Sequence, residues 1–311
     1  MPNNSSLISK TVLIAEKAGL KDITPLELGN GGNLIVHLAP YPIVARIAAV
    51  LSKNNADYAY KVLVRELRAA RHLHSKGVPV RLPTDRTDAG PYDIGGTWVT
   101  FWQYVPPTEL QRPSPSEAVE LVNRLSLALK DFSDEIPMLG VWERTCQSAF
   151  RLMKHPDQRI QNLLSLLFAI DRQMRLETSL LIPSHGDAHS RNLIPSPEGW
   201  VWSDFEDLSL MPAYWDLASY VGNLALFNGI QEPTFQYIWS GINNQADKQA
   251  FGFAVTARIL MSTLGNLDFA LSGSGDLEFA YKQLELAKDF IDQINLIIEG
   301  EQRSHNRHGS T

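Results

Sequence analysis

Ser184-His185-Gly186-Asp187-Ala188-His189-Ser190-Arg191-Asn192, followed by Trp202-Ser203-Asp204-Phe205-Glu206-Asp207, is the most informative segment of the chain. Pro183, Gly186, Pro195, Pro197 and Gly199 interrupt any helix here, so the segment reads as an irregular island inside a helical half of the chain. It gathers histidines, carboxylates and an amide at fixed spacing. His185 and His189 stand four apart, a zinc spacing only on a helix, and Pro183 and Gly186 argue against one. No H-E-x-x-H is present. Any one of these polar residues could cap a helix or satisfy a loop; several in register point to chemistry.

The chemistry that suits the register is phosphoryl transfer. It needs a carboxylate to orient the attacking hydroxyl, and hard oxygen ligands for Mg²⁺ on the nucleotide phosphates. A kinase catalytic loop reads H-R-D-x-x-x-x-N and is followed by a metal-binding Asp in D-F-G. Here His185-Gly186-Asp187 leads to Asn192 at the same spacing, and a β-like run then ends in Asp204-Phe205.

The remaining parts are sought upstream. Val44-Ala45-Arg46 lies on a β-like run, with Glu66 on the next helix, so Arg46 stands where a kinase carries its phosphate-holding Lys. Lys53 and Lys61 are the fallback, and a solvated Arg46–Glu66 pair is the plain alternative. Gly29-Asn30-Gly31-Gly32-Asn33 reads as a non-regular turn able to offer backbone N–H groups to phosphates, although it fits neither G-x-G-x-x-G nor the Walker pattern. Phe101-Trp102-Gln103-Tyr104-Val105 enters the only Pro-dense stretch, and Phe101, Gln103 and Val105 are the expected adenine-side residues; inter-lobe core is the other reading.

Around these motifs the pattern is β-rich first and helical later. A helix is expected over 7–20, with Leu7, Leu13, Ile14 and Ala18 on its face. Strands are expected over 34–38, 43–47 and 97–101, and a helix over 56–75. Helices are expected over 116–133, 157–178, 213–228, 246–271 and 276–299. The chain of 311 residues is 44% hydrophobic and 20% charged, too apolar for disorder. Cys146 is the only cysteine, which excludes an intramolecular disulfide and a multi-Cys zinc site. The net charge of −6 offers no global basic surface to nucleic acid. No apolar run approaches the roughly 20 residues of a membrane helix, and the first residues lack a basic signal region, so a cytoplasmic protein without membrane partners is expected. Residues 1–105 hold 12 Lys/Arg against 8 Asp/Glu, a balance of +4; the rest balances at −10.

His185-Gly186-Asp187-x-His189-x-x-Asn192, Asp204-Phe205-Glu206 and Trp215-Asp216-Leu217-Ala218, with Arg46 and Glu66 before them, resemble the aminoglycoside phosphotransferase / choline kinase-like family. The resemblance spans roughly residues 25–225. It implies an α+β, bilobed protein-kinase-like fold: a small antiparallel β-sheet lobe with one key helix, and a larger, mainly helical lobe. The expected division is a nucleotide-binding lobe over 1–104, a catalytic and acceptor-binding lobe over 105–300, and a flexible tail over 301–311. The resemblance further implies ATP (GTP in some members) between the lobes, with Mg²⁺. Asp187 would be the catalytic base, Asn192 and Asp204 the Mg²⁺ ligands, Arg46 the phosphate-side cation and Asp216 a brace for the loop. Glu206 in place of the D-F-G glycine, and the lack of an A-P-E segment, favour a small-molecule acceptor over a protein.

The acidic second part suits a cationic hydroxyl acceptor such as an aminoglycoside, amino-alcohol or amino sugar. Tyr214, Trp215, Tyr220, Asn223, Phe227, Asp268 and Asp276 are candidates for its pocket. An apolar antibiotic such as a macrolide is an alternative acceptor. A nucleotide-binding pseudokinase that regulates a partner is the alternative of another class, with Arg46 in the lysine position as its support.

Overall fold

A computed structural model describes residues 4–30, 32–176 and 178–308. The fold is the bilobed protein-kinase-like one, and the chain divides into two units, Met1–Gln111 with Arg191–Glu206, and Arg112–Ser190 with Asp207–Thr311.

The first unit is built on a five-stranded antiparallel sheet ordered β1-β2-β3-β5-β4. Its strands are β1 (Thr24–Asn30), β2 (Leu34–Ala39), β3 (Ile43–Ile47), β4 (Tyr92–Asp93) and β5 (Trp98–Gln103). Register sorts the side chains. Arg46 pairs with Ile35 on β2 and Thr100 on β5, and Val44 pairs with Trp102, so these residues share one face. The other face carries Leu34, Val36, Leu38, Ile43, Ala45, Ile47, Val99 and Phe101, a core closed by α1 (Asn4–Lys17). That helix buries Leu7, Thr11 and Ala15 rather than the expected Leu13, which is 55% exposed. β1 runs through Gly29 and Asn30, which the sequence pattern places outside regular structure; Gly31 lies outside the described residues.

After the short α2 (Ala49–Asn54), α3 (Ala56–Ser75) opens on Asn55, whose side chain accepts from the Tyr58 N–H at 3.0 Å. Ala59, Val62, Leu63, Glu66, Leu67, Ala70 and Leu73 recur at three- and four-residue spacing on its buried face. Glu66 is therefore a carboxylate on an otherwise apolar stripe.

The expected division at 104/105 differs from the observed one in two ways. The break falls at Gln111/Arg112, and residues 191–206 belong to the first unit. These contain a hairpin, whose strands pair Leu193 with Trp202 and Ser196 with Gly199. Trp202 stitches it to the segment before β4: its N–H donates to the Pro79 carbonyl at 2.9 Å, and its own carbonyl accepts from the Arg81 N–H at 2.8 Å.

The second unit is helical: α4 (Pro115–Leu129), α5 (Gly140–Leu152), α6 (Gln158–Leu176), α7 (Trp215–Asn228), α8 (Pro233–Gly241), α9 (Gln245–Leu271) and α10 (Leu277–His308). A capping box starts α4, with the Ser114 N–H on Glu117 Oε2 at 2.8 Å and Pro115 in the first turn. α10 continues through His308, into the stretch expected as a flexible tail; residues 309–311 lie outside the described residues. α9 is long and apolar enough to cross a membrane by composition, but 67% of its apolar window is buried inside the protein, where it forms the core of this unit. Trp142 and Trp215 meet edge-on at 6.4 Å within that core. A two-stranded ladder pairs Ile182–Ser184 with Ser209–Met211 and brackets the irregular island.

Candidate active site

In the first unit the sheet face opposite the core carries Arg46, held by three carboxylates. Its Nη1 donates to Glu66 Oε2 at 2.6 Å and its Nη2 to Asp204 Oδ1 at 3.0 Å; Nη2 also donates to Glu206. Arg46 and Glu66 are 5% and 1% exposed, so neither is served by water. Burial by itself would make Arg46 easier to deprotonate, but Glu66, Glu206 and Asp204 outweigh it and keep the guanidinium charged. Burial, followed by the field of Asp204 and Glu206, pushes the Glu66 carboxyl upward against the pull of Arg46. The other Glu66 oxygen accepts the Phe205 N–H at 3.3 Å, which fixes the turn after Asp204. Asp204 itself sits at φ +66°, in the left-handed region that costs a non-glycine residue about 1 kcal/mol or more.

The hairpin explains why Asn192 and Asp204 come together although twelve positions apart. Leu193 opposite Trp202 closes the ladder, and the Ser203 N–H donates to the Asn192 carbonyl at 2.9 Å. Asn192, Ser203, Asp204, Arg46, Glu66, Arg81, Trp102, Ile35, Asn33 and Gly32 line one cavity of about 280 Å³. Among the described residues no group of three or more His, Cys, Asp or Glu forms a ready metal cage. An Asn oxygen beside an Asp carboxylate is instead a donor set of hard oxygens that suits Mg²⁺, which takes one or two protein ligands and fills the rest with phosphate and water. Arg46→Ala would strand three carboxylates; a loss of about 3–5 kcal/mol in denaturant unfolding is expected, with Arg46→Lys intermediate.

Of the expected adenine-side residues, two are placed otherwise. Phe101 is fully buried against the α1 core, its N–H donates to the Ala89 carbonyl and its carbonyl accepts from the Thr84 N–H. The Gln103 N–H donates to the Leu82 carbonyl, and its carbonyl accepts from Arg81 Nε at 3.0 Å. Both lie on the face of β5 opposite Trp102, which lines the cavity, since a one-residue step reverses the face. Val105 follows the strand, half-buried.

In the second unit Asp187 is held from two sides. Oδ1 accepts from Arg258 Nη2, and Oδ2 lies 3.3 Å from His189 Nε2. Burial would raise its pKa, yet Arg258, then His189 and His185, hold it well below the usual carboxylate range. The turn before it is braced by Asp216 at the start of α7. Asp216 Oδ2 accepts the His185 N–H at 3.0 Å and Ser126 Oγ–H at 3.2 Å, and Oδ1 accepts the Gly186 N–H at 3.2 Å. Trp215 Nε1 donates to the Gly186 carbonyl at 2.8 Å, tying the turn to the core.

The acceptor candidates scatter. Trp215 and Tyr220 are buried in the core, Asp268 pairs with Arg151 at 2.6 Å, and Asp276 accepts the Phe279 N–H. Phe227 lies under Lys282, and Asn223 accepts from Gln283 at 2.9 Å. Tyr214 lines a separate cavity of about 330 Å³ with Asn123, Tyr237 and Asp247, and burial followed by Asp247 pushes its phenol up to about 12. Arg81, which lines the first cavity, and Arg258, which pairs with Asp187, lie outside every sequence motif; Glu206 lies within the Asp204-Phe205-Glu206 motif, but its contact with Arg46 is not legible there. A signal exists for the two arginines: each is the single charge in an apolar run, Val78–Pro83 and Ala250–Leu267.

Residues 43–239 match the profile of a family described as the phosphotransferase enzyme family. No curated protein sequence matches the chain significantly. Among solved structures it is similar to amicoumacin kinase hAmiN in complex with AMP-PNP, Ca²⁺ and Ami, at TM-score 0.65 and 12% identity over 94% of this chain and 96% of that one. It is similar to choline kinase LicA from Streptococcus pneumoniae at TM-score 0.61 and 13% identity, over 92% and 99%. A thermostable mutant of aminoglycoside phosphotransferase APH(4)-Ia gives TM-score 0.59 and 13% identity, over 94% and 99%.

Proposed function

The chain belongs to the phosphotransferase enzyme family, and from that premise we propose that it moves the γ-phosphoryl group of ATP to a hydroxyl of a small molecule. The observation that carries this reading is the pairing of two furnished sites in one chain. One is a cavity lined by Arg46, Asn192 and Asp204; the other is a carboxylate, Asp187, kept ionised by its neighbours.

In this reading the first unit holds the nucleotide. Arg46, anchored by Glu66, faces the phosphates, the backbone of Val105 meets the base, and Asn192 and Asp204 hold Mg²⁺. When bound, the metal neutralises charge on the phosphates. Asp187 accepts a hydrogen bond from the acceptor hydroxyl and aims its oxygen at phosphorus. Held at low proton affinity by Arg258 and His189, it orients more than it deprotonates, which suits a loose transition state in which the proton leaves late. The ligands of the amicoumacin kinase structure, AMP-PNP and Ca²⁺, are of the classes this cavity suits.

The cationic-acceptor reading rests on the −10 balance of residues 106–311. The test is a panel of amino-alcohols, aminoglycosides, neutral sugars and macrolides with MgATP, read by a mass gain of roughly 80 Da, one phosphoryl group. Cationic members are expected to gain mass first. Transfer confined to neutral or anionic alcohols would refute the cationic preference. Nucleotide binding with no transfer to any member would favour a regulatory module.

A further inference from the structure

We propose that Arg81 is a second phosphate-gripping residue of the first unit's cavity, offering its two terminal nitrogens to an oxygen of the nucleotide's phosphate chain. The proposal rests on the nucleotide-binding reading of that cavity.

Arg81 is the one charge in Val78-Pro79-Val80-Arg81-Leu82-Pro83. Its backbone is pinned on both sides. The Arg81 N–H donates to the Trp202 carbonyl at 2.8 Å, and the next residue's carbonyl accepts the Gln103 N–H at 2.8 Å. Nε then donates to the Gln103 carbonyl at 3.0 Å, which sets the plane of the guanidinium. The side chain is thus preorganised in the cavity wall.

Its two Nη atoms make no hydrogen bond or ion pair among the described residues. The contrast with Arg46 is direct, since that guanidinium already serves Glu66, Asp204 and Glu206. The nearby carboxylates are therefore engaged: Glu66 by Arg46 and the Phe205 N–H, Asp204 by Arg46. Desolvation pushes Arg81 down to about 10, opposed by the fields of Glu66 and Asp204 and assisted by that of Arg46. Arg81 is half-buried and only its Nε is hydrogen-bonded, so the charge is partly withdrawn from water, and an incoming anion on the two Nη atoms offsets that cost. The planar fork fits phosphate oxygens with two parallel N–H donors. Asn192, Asp204 and Arg46 line the same cavity, so the anion expected there is the phosphate chain rather than a base carbonyl.

Binding of MgATP, MgADP and adenosine to the full chain tests this by calorimetry, using wild type, Arg81→Gln and Arg81→Met. Both variants are expected to weaken MgATP and MgADP by roughly 10- to 100-fold and to leave adenosine within about twofold. Arg81→Met keeps an apolar stem and removes a half-buried cation held by one hydrogen bond, to the Gln103 carbonyl, so its melting temperature is expected to stay close to that of wild type. Unchanged MgATP affinity, or adenosine weakened as much as MgATP, would overturn the proposal. So would a variant that melts earlier yet binds MgATP as wild type does, because Arg81 would then be structural. Wild type binding neither MgATP nor adenosine would instead overturn the nucleotide reading of the whole unit.

Discussion

Replacing Asp187 with Asn is expected to lower the transfer rate by about 10²- to 10⁴-fold while MgATP affinity stays within about twofold. The substitution is nearly isosteric and keeps one oxygen for Arg258, so the loop is retained. It removes the charge proposed to orient the hydroxyl, and therefore the loss is expected in kcat rather than KM. The residues lining the cavity proposed for the nucleotide belong to the other unit, so binding is expected to be spared. Transfer at near wild-type rate would remove Asp187 from the proposed role. The same variant has a signature in acid. The folded pKa of Asp187 is depressed below the unfolded value of about 3.9, so its ion pairs stabilise the fold fully above that pH and lose their effect as pH falls through the folded value. Asp187→Asn is expected to be less stable than wild type near pH 7, and the gap is expected to narrow on the acid limb of an unfolding titration.

Gly186→Ala carries the largest structural effect. Gly186 sits at φ +86°, and a Cβ there would lie 2.1 Å from the Asp207 carbonyl oxygen. Neither partner can retreat easily. The Gly186 N–H is held by Asp216, its carbonyl by Trp215, and Asp207 forms an ion pair with Arg144. Strain at the left-handed backbone alone costs about 1–3 kcal/mol, and the clash adds to it. The expected outcome is a marked fall in melting temperature together with loss of transfer. A variant of wild-type stability would show that the turn yields and that the Asp216 brace is weak. Asp216→Asn separates the two contributions, since it keeps the turn glycine but weakens the acceptors for the His185 and Gly186 N–H groups.

How far the sequence alone can be read follows from the physics of each element. β2 and α3 are legible because their burial is periodic, and β3 and β5 because they are short, continuously buried runs of β-branched, apolar and aromatic residues. β1 is not, since its pattern is almost wholly exposed and shows no alternation. α5 escapes a sequence reading because Leu139 opens it at φ +53° with no side-chain cap, although Val141, Trp142, Thr145, Cys146, Ala149 and Leu152 have helical spacing. At the site, motif and spacing single out Arg46, Glu66, Asn192 and Asp204, and the fold brings them to one cavity. That Phe101 and Gln103 stand on the face of β5 opposite Trp102 is not legible beforehand, because strand parity is set only once the register is known. Glu206 belongs to the Asp204-Phe205-Glu206 motif, but its contact with Arg46 depends on the turn that Asp204 makes in the left-handed region. Arg81 and Arg258 come from segments far from any motif. Only the oddity of a single charge in an apolar run marks them before tertiary structure shows what each faces.

Phosphoryl transfer to an organic hydroxyl is followed on the γ-phosphoryl group itself. The full chain is incubated with Mg²⁺ and γ-labelled ATP, together with a pooled fraction of hydroxyl-bearing small molecules, and the label is traced by chromatography. The expected result is label in a phosphatase-sensitive organic ester, dependent on Mg²⁺ and absent with Asp187→Asn. Label remaining in ATP or inorganic phosphate alone, from a chain shown to bind the nucleotide, would contradict it.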